Sequence, residues 1–309
     1  TTKVSSSSSM SNNDAYRMTL QTTNNLTYNG KWGDHALTAT AVYEATQSEY
    51  RYMNISGNNL MTESVGWWNV EMAGTRNAKN DYSKWALMSG VGRVMYNYKD
   101  RYMLTGTIRA DGSSKFFNNK WGWFPSIAAA WSMGNENFMQ HQNFIQDLKI
   151  RASYGQVGND VYQVNGVTQR FLYEETWNQI NNDYYFGTTG VTGIYEAQYP
   201  NYDVTWEKAH KYDVGVDFSF WNGLLYGNVD YFYERRNNIL TTYGTRPQWV
   251  GVVMAAGNLG ETKNEGFEIE LHHSNTIGKN FRYNVGFSFS HAANEILDMD
   301  EPALKTAYR

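Results

Sequence analysis

The chain has 309 residues, including 24 Tyr, 14 Phe and 11 Trp, yet its mean hydropathy is only -0.62. Aliphatic residues are sparse, and this balance is typical of a wall with two different faces rather than of a soluble core. No apolar run approaches the roughly 18 residues of a membrane helix. The net charge of -4, without basic clusters, argues against a nucleic-acid partner, and the absence of cysteine excludes a disulfide framework and a thiolate metal site.

The first third of the chain predicts three strands. Residues 16–28 form an ambiguous first strand, and a tight connection at residues 29–34 leads to a second strand over residues 35–52. A long polar loop is predicted for residues 53–81, followed by a strand over residues 82–98. The Ser-rich start has no signal-peptide pattern, so we expect the chain to be an internal piece of a longer protein.

The central part of the chain is organised around a strand, a polar loop and a second strand within residues 98–131. Alternate residues of the first strand, such as Leu104 and Ile108, are apolar, whereas Arg109 lies on the other face. The polar loop covers residues 112–121. Period-two alternation of this kind predicts strands rather than helices.

Two less regular segments follow. Residues 134–146 predict a short helix or a turn-rich connector, because Phe and Met recur at helix-like spacing, and a plain loop is the alternative. Residues 148–154 alternate like a strand and open into a connection over residues 157–204, which is far longer than an ordinary loop.

The last third is the most regular. Two alternating strands flank the Asn222–Gly223 turn, which is a strong hairpin signal. A polar loop over residues 237–262 leads to two further strands, which a turn at residues 276–280 joins. The whole chain predicts about ten strands.

The connections between these strands indicate the fold class. Tight turns and long loops alternate, and bacterial outer-membrane barrels have this asymmetry, with short periplasmic turns and long extracellular loops. The predicted fold is all-β, a segment of an antiparallel up-and-down transmembrane β-barrel. Because a charge in mid-bilayer costs about 2–4 kcal/mol, the apolar face is expected to meet lipid and the charged face to line a polar lumen. The predicted lumen-facing charges are Arg109, Arg151, Asp217 and Asp230.

Five sequence blocks occur in a recognisable order over most of residues 85–290. They are DRYMLTGTIRADGSSKF, WGWFPSIAAAWSM, DLKIRASYGQVGN, VTWEKAHKYDVGVDFSFWNGLLYGNVDYFYER and GNLGETKNEGFEIEL. Together they resemble the barrel of the SusC/RagA-like family of TonB-linked outer-membrane transporters. The run from Arg109 to Ser114 is the most specific part of this resemblance.

The resemblance implies a barrel of about 22 strands plugged by an N-terminal domain. Residues 1–309 would be part of this single barrel domain, with the plug and the C-terminal strands outside the chain. It further implies a bacterial outer-membrane location and active import of oligosaccharides or peptides. Energy would come from the TonB complex, and a SusD-like surface lipoprotein would act as a lid.

Aromatic residues in the predicted outer loops are candidate contacts for cargo or for a lid protein. Flat rings give a large contact area at a small entropic cost. Packing of the long loops on each other is the alternative role. The candidates are Tyr184, Tyr185, Trp177, Trp67, Trp68 and Trp249.

The sequence contains no readable catalytic or metal-binding constellation. His272 and His273 are adjacent strand residues that point to opposite faces, so they do not converge on one ion. Acidic pairs lack a nucleophile or a His at readable spacing, and we expect no enzyme and no cofactor. Two alternatives to active import stay open: a passive porin-like channel with the same wall, and a soluble β-sandwich adhesin or carbohydrate-binding module.

Overall fold

Strands account for most of the described chain. The structure is a computed structural model, and it describes residues 8–60, 69–139, 143–164, 166–245 and 252–301. Within these ranges the strands, numbered in chain order, are β1 Ser9–Trp32, β2 His35–Leu60, β3 Ala73–Tyr98, β4 Tyr102–Ser113, β5 Trp121–Ser132, β6 Ile145–Asn159, β7 Tyr162–Val164, β8 Val167–Gln169, β9 Thr176–Phe186, β10 Thr189–Tyr199, β11 Glu207–Phe220, β12 Leu225–Thr241, β13 Val253–Met254, β14 Gly257–Ile277 and β15 Phe281–Asp298. The helical segments of the same ranges are two 3-10 helices, Val70–Met72 and Met133–Asn135, and neither is long and apolar enough to cross a membrane.

Ten of these strands form a single sheet in the order β1-β2-β3-β4-β5-β6-β11-β12-β14-β15. From β4 onward its neighbouring strands pair in antiparallel register, so the chain runs up and down. β1 and β15 are the two edges of this order. The prediction of about ten up-and-down strands is confirmed.

The chain divides into two compact units. The first comprises residues 1–23 and 44–88, which include the ends of β2 and β3 on either side of their connection. The second comprises residues 24–43 and 89–309, and it contains β4 to β15. All contacts considered below lie within the second unit.

Two of the long loops are shorter than the sequence predicts. β2 and β3 both extend into the loop predicted for residues 53–81, and β12 and β14 both extend into that predicted for residues 237–262. Alternation fades in such extensions, because both faces of a strand meet water once it leaves the bilayer. The described part of the segment 134–146 begins with the end of the 3-10 helix Met133–Asn135, continues in turns and bends, and ends at the start of β6.

The connection predicted for residues 157–204 contains four strands of its own. β7 pairs with β8, and β9 pairs with β10 in a longer hairpin whose turn holds Gly187 at a φ of 69°. β13 pairs in parallel with the end of β10. The sequence analysis missed these strands because Asn, Gln, Thr and Gly interrupt the apolar alternation on which it relied.

The turns at the other end of the strands are tight. Positive φ angles from 51° to 80° occur at Lys99 and Asp100, between β3 and β4, and at Asn222 and Gly223, between β11 and β12. Tight hairpin turns often need this backbone geometry, which Asn, Asp and Gly tolerate best. The predicted alternation of tight turns and long connections is therefore confirmed.

The pairing registers align side chains in rows that cross the strands. One row across β6, β11, β12 and β14 consists of Ile150, Val216, Val229 and Ile269. The adjacent row lies one residue away on each strand and consists of Arg151, Gly215, Asp230 and Glu268. Because successive strand residues point to opposite sides, this part of the sheet has an apolar face and a charged face.

Candidate functional site

An arginine with three carboxylates lies on the charged face. Arg151 on β6 donates to Asp213 and to Asp217 on β11, each at 3.3 Å, and to Asp230 on β12 at 2.7 Å. Lys149 lies 3.7 Å from Asp217. The side chains are partly buried, with exposed fractions from 14% for Asp230 to 36% for Asp213. Charge-assisted hydrogen bonds thus link three neighbouring strands.

Gly215 gives this cluster the space that it needs. It lies between Arg151 and Asp230 in the pairing register of β6, β11 and β12. A Cβ atom at this position would overlap Oδ1 of Asp230 and would lie 2.7 Å from Cζ of Arg151. The missing side chain therefore allows two charged groups to meet across the strand between them.

A second arginine of the charged face, Arg109 on β4, bonds to its own strand and to β3. Its Nε donates to Asp111 at 2.7 Å, and its Nη2 donates to Ser89 at 3.0 Å. Both partners are buried, whereas the Arg109 side chain is 41% exposed. The structure thus places Arg109, like Arg151, in ion pairs, while the orientation of these residues toward a lumen stays a prediction.

A buried aromatic cluster lies at the long-loop end of the strands. Trp206 packs edge-on against Phe116 and Phe124, with ring centroids 5.3 and 5.5 Å apart, and none of the three is more than 4% exposed. The indole Nε1 donates to the carbonyl of Lys120 at 3.1 Å. Gly158 leaves room for the Phe124 ring, which a Cβ atom there would overlap. This small core holds the loop between β4 and β5 against the start of β11.

Partly buried ion pairs surround the aromatic cluster. Asp160 accepts from Ser113 Oγ at 2.8 Å and lies 2.9 Å from Lys115 Nζ, with exposed fractions of 9% for Lys115 and 13% for Asp160. Arg236 on β12 donates to Glu207 on β11 at 3.0 Å. A buried charge is tolerated only when it is paired, so these contacts help to fix the positions of the loops.

The aromatic cluster and its ion pairs were not predicted from the sequence. The signal that could have found them is the resemblance itself, since its blocks supply the cluster. Ser113, Lys115 and Phe116 come from the first block, Phe124 from the second, and Trp206 from the fourth. The fold brings these separate blocks together at one end of the strands.

Aromatic rings also mark the turn end of the apolar face. Tyr102 stacks on Tyr98 and on Trp131, with centroids 6.4 Å apart in each pair. Glu136 accepts hydrogen bonds from the Tyr102 hydroxyl at 2.6 Å and from the Trp131 indole at 3.2 Å, and it pairs with Arg101 at 3.1 Å. The hydrogen bond from Tyr102, followed by that from Trp131, holds the pKa of Glu136 below its usual range.

Two of the six loop aromatics predicted as contacts can be located. Trp177 and Tyr185 lie on β9, in the long hairpin, and are 58% and 62% exposed. Their exposure favours a contact role over packing between loops. The side chain of Tyr184 lies outside the described residues, as do Trp67, Trp68 and Trp249. The function of all six stays a prediction.

The two adjacent histidines of β14 lie on opposite faces of the sheet. His272 stacks on Tyr226 at 5.0 Å and bonds to Glu270 at 2.8 Å. His273 instead stacks on Tyr283 at 5.5 Å. The pair is therefore divided between the two faces, as adjacent strand residues must be.

A sheet with one apolar and one charged face, tight turns at one end and long loops at the other defines a wall section of an outer-membrane β-barrel. Comparison with known families agrees. The family described as TonB dependent receptor-like, beta-barrel, matches residues 2–307. The chain belongs to this family, whose members are outer-membrane proteins.

Named relatives extend this result. The chain is 32% identical over 283 residues to TonB-dependent receptor P26 of Formosa agariphila, and 30% identical over 214 residues to TonB-dependent receptor SusC of Bacteroides thetaiotaomicron. These alignments cover 89% and 68% of this chain but only 27% and 21% of the relatives, so the chain spans about a quarter of their length. The SusC/RagA-like resemblance is confirmed.

Solved structures show the same fold. Structures described as the RagAB peptide transporter, and as the RagAB peptide importer in the closed-closed state, match with TM-scores of 0.78 and 0.80 at 22% identity. The matches cover 94% and 95% of this chain, and 31% and 32% of those chains. The barrel class predicted from the sequence is confirmed, and the β-sandwich alternative is excluded.

Proposed function

We propose that this chain is a section of the wall of an energised outer-membrane importer for oligosaccharides or peptides. The observation that carries the proposal is the separation of the two faces across β6, β11, β12 and β14. In the proposal, the charged face lines a water-filled lumen through which a hydrophilic cargo passes, and the apolar face meets lipid. Arg109, Arg151, Asp217 and Asp230 would be lumen residues, and the chain would move its cargo without converting it chemically.

The proposal includes the rest of the barrel. Unpaired strand edges are costly in lipid, so the edges β1 and β15 require neighbouring strands in a closed wall. Residues 1–309 would then be part of a single barrel domain, completed by further strands and by a plug domain elsewhere in the protein. Two observations support this division. A single barrel family matches residues 2–307, and the chain covers only about a quarter of the length of its relatives.

The proposed partners act at the two ends of the barrel. A TonB complex would supply energy through the plug, as the names of the relatives suggest. A SusD-like lipoprotein would cover the extracellular end, where the β9–β10 hairpin presents Trp177 and Tyr185 to solvent. RagAB is described as a peptide transporter, and aromatic rings also stack on sugars, so both cargo classes belong to the proposal.

Uptake by intact cells tests this proposal. Cells that express the full-length protein would receive a fluorescent oligosaccharide mixture or a fluorescent peptide mixture, with and without a protonophore. Active import predicts that one mixture enters and that the protonophore lowers its uptake at least tenfold. Uptake that is indifferent to the protonophore would instead establish the passive porin-like channel.

The loop aromatics can be tested in the same assay. We expect the double substitution Trp177→Ala and Tyr185→Ala to raise the half-saturating cargo concentration at least fivefold, because it removes two exposed stacking surfaces. Phe287→Ala is the matched control, since Phe287 is 57% exposed on the apolar face of β15. Equal half-saturation in both variants would show that these aromatics contact neither cargo nor lid.

A further inference from the structure

A groove on the apolar face is not used by the proposed import function. It has a volume of about 690 Å³ and lies along β11 and β12. This is the size of an ordinary small-ligand site. Its lining combines aromatic, cationic and amide side chains, which are His210, Tyr212, Tyr231, Tyr233, Arg235 and Asn237.

The pairing registers show at which level of the wall this groove lies. Tyr212 and Tyr233 pair in one row, which Tyr154 on β6 extends at a ring distance of 4.9 Å from Tyr212. The row toward the periplasmic turns is apolar and contains Val214. The row toward the long loops has His210, Arg235 and Lys263 at its centre, and Gln156 on β6 and Glu295 on β15 flank them. Rows of tyrosine mark the level where hydrocarbon meets headgroups, so the groove opens at the headgroups of the outer leaflet.

Acidic groups adjoin the basic residues of the row toward the long loops without lining the groove. Glu261 accepts from Nε of Arg235, and Lys263 lies 3.0 Å from Glu265 and 3.7 Å from Glu295. The Arg235 side chain is 54% exposed, and its terminal nitrogens have no hydrogen-bond partner within the described residues. Glu265 also accepts a hydrogen bond from the Tyr231 hydroxyl at 3.4 Å. These carboxylates thus bond to Arg235 and Tyr231 from outside the lining, which itself presents the terminal nitrogens of the guanidinium.

A second polar group in the groove also lacks a partner. The buried Oδ1 atom of Asn237 accepts no hydrogen bond from the described residues. A carboxamide can turn to present either its oxygen or its nitrogen, so Asn237 is suited to a ligand that brings both phosphate oxygens and hydroxyl groups.

We propose that this groove binds a phosphorylated lipid of the outer leaflet. Its phosphate would lie against the terminal nitrogens of Arg235, because a guanidinium fork matches two phosphate oxygens. Asn237 and His210 would bond to the headgroup, and an acyl chain would pass over Tyr231 onto Val229. Free phosphate fits poorly, since the periplasmic side of the groove is apolar and opens onto hydrocarbon. The inference adds a membrane ligand to the wall and does not depend on the cargo.

Native mass spectrometry of the full-length protein tests the site. The detergent-solubilised protein would be titrated with bisphosphorylated lipid A and, separately, with dephosphorylated lipid A. We expect the phosphorylated form to bind at least tenfold more tightly, and Arg235→Gln to remove most of this difference. Arg235→Lys keeps the charge but loses the fork, so it should restore binding in part. Lys279→Gln, in the turn between β14 and β15, is the matched control and should bind like the wild type.

Three results would overturn the proposal. One is equal binding of the two lipids by the wild type. Another is equal loss of binding in the Arg235→Gln and Lys279→Gln variants. The third is displacement of the lipid by millimolar inorganic phosphate, which would show a site for the free anion. Circular dichroism of each variant in the same detergent separates loss of binding from loss of fold.

Discussion

Replacement of Gly215 by alanine tests the charged cluster directly. The new Cβ would occupy the space of the Asp230 carboxylate, so the bond from Arg151 at 2.7 Å must break or lengthen. A hydrogen bond between charged groups contributes about 1.5–3 kcal/mol, which we reduce to about 1–2 kcal/mol because the cluster is partly exposed. Alanine also restrains the unfolded chain, which restores about 0.4–1 kcal/mol. The net expectation is a destabilisation of about 1 kcal/mol.

Guanidinium unfolding of the full-length protein in detergent measures this difference. Gly106→Ala is the matched control, because Gly106 is also a strand glycine but has open space where its Cβ would stand. The stability of this control should be unchanged or should rise by the same amount of about 0.4–1 kcal/mol, because alanine restrains the unfolded chain there too. If both variants unfold at the same midpoint, Gly215 does not serve the ion pair. In an Asp230→Asn background, Gly215→Ala should cost clearly less than in the wild type.

Two further predictions concern the two ends of the strands. Phe124→Ala should destabilise the full-length protein by about 3–5 kcal/mol, as for other buried aromatic residues. Trypsin should then cleave after Lys120, because the loop that carries this exposed lysine loses the packing that holds it. Persistent resistance of this loop to trypsin would contradict the proposed role of the cluster. Glu136→Gln should lower the melting temperature at neutral pH. Because the folded pKa of Glu136 is lowered, its stabilising contribution is complete above the ordinary value of 4.5 and is lost as pH falls through the lower folded value. The difference in melting temperature between the variant and the wild type should therefore vanish as pH falls through the folded pKa of Glu136. A difference that does not change with pH would refute this role of Glu136.

The two faces of the wall could be predicted from the sequence because they depend on alternation alone. Arg151 and Asp217 are each flanked by apolar strand neighbours, and period two assigns both to one face without knowledge of any partner. The Asn222–Gly223 hairpin was likewise predictable, since this dipeptide suits the positive φ angles of 57° and 80° that it adopts.

The ion pairs themselves could not be predicted, because they depend on the register between strands. Arg151 meets Asp230 only because Gly215 pairs with both in the register of β6, β11 and β12. A shift by one residue would move every side chain of β11 to the opposite face. The register of β6 against β11 follows a connection of more than 40 residues, whose own hairpins carry no apolar alternation.

The distribution of buried residues explains why the two ends of the wall should respond differently to substitution. A single sheet between lipid and water has little interior, so hydrogen bonds and ion pairs across strands hold most of its length together. Aromatic side chains are fully buried where loops fold back over the strands. Phe116, at 2% exposure, and Trp206, at 4%, lie at such a place, where three of the resemblance blocks meet. Large apolar truncations should therefore act mainly at the extracellular end, whereas along the wall the sensitive positions are charges such as Arg151 and the glycines that give them space.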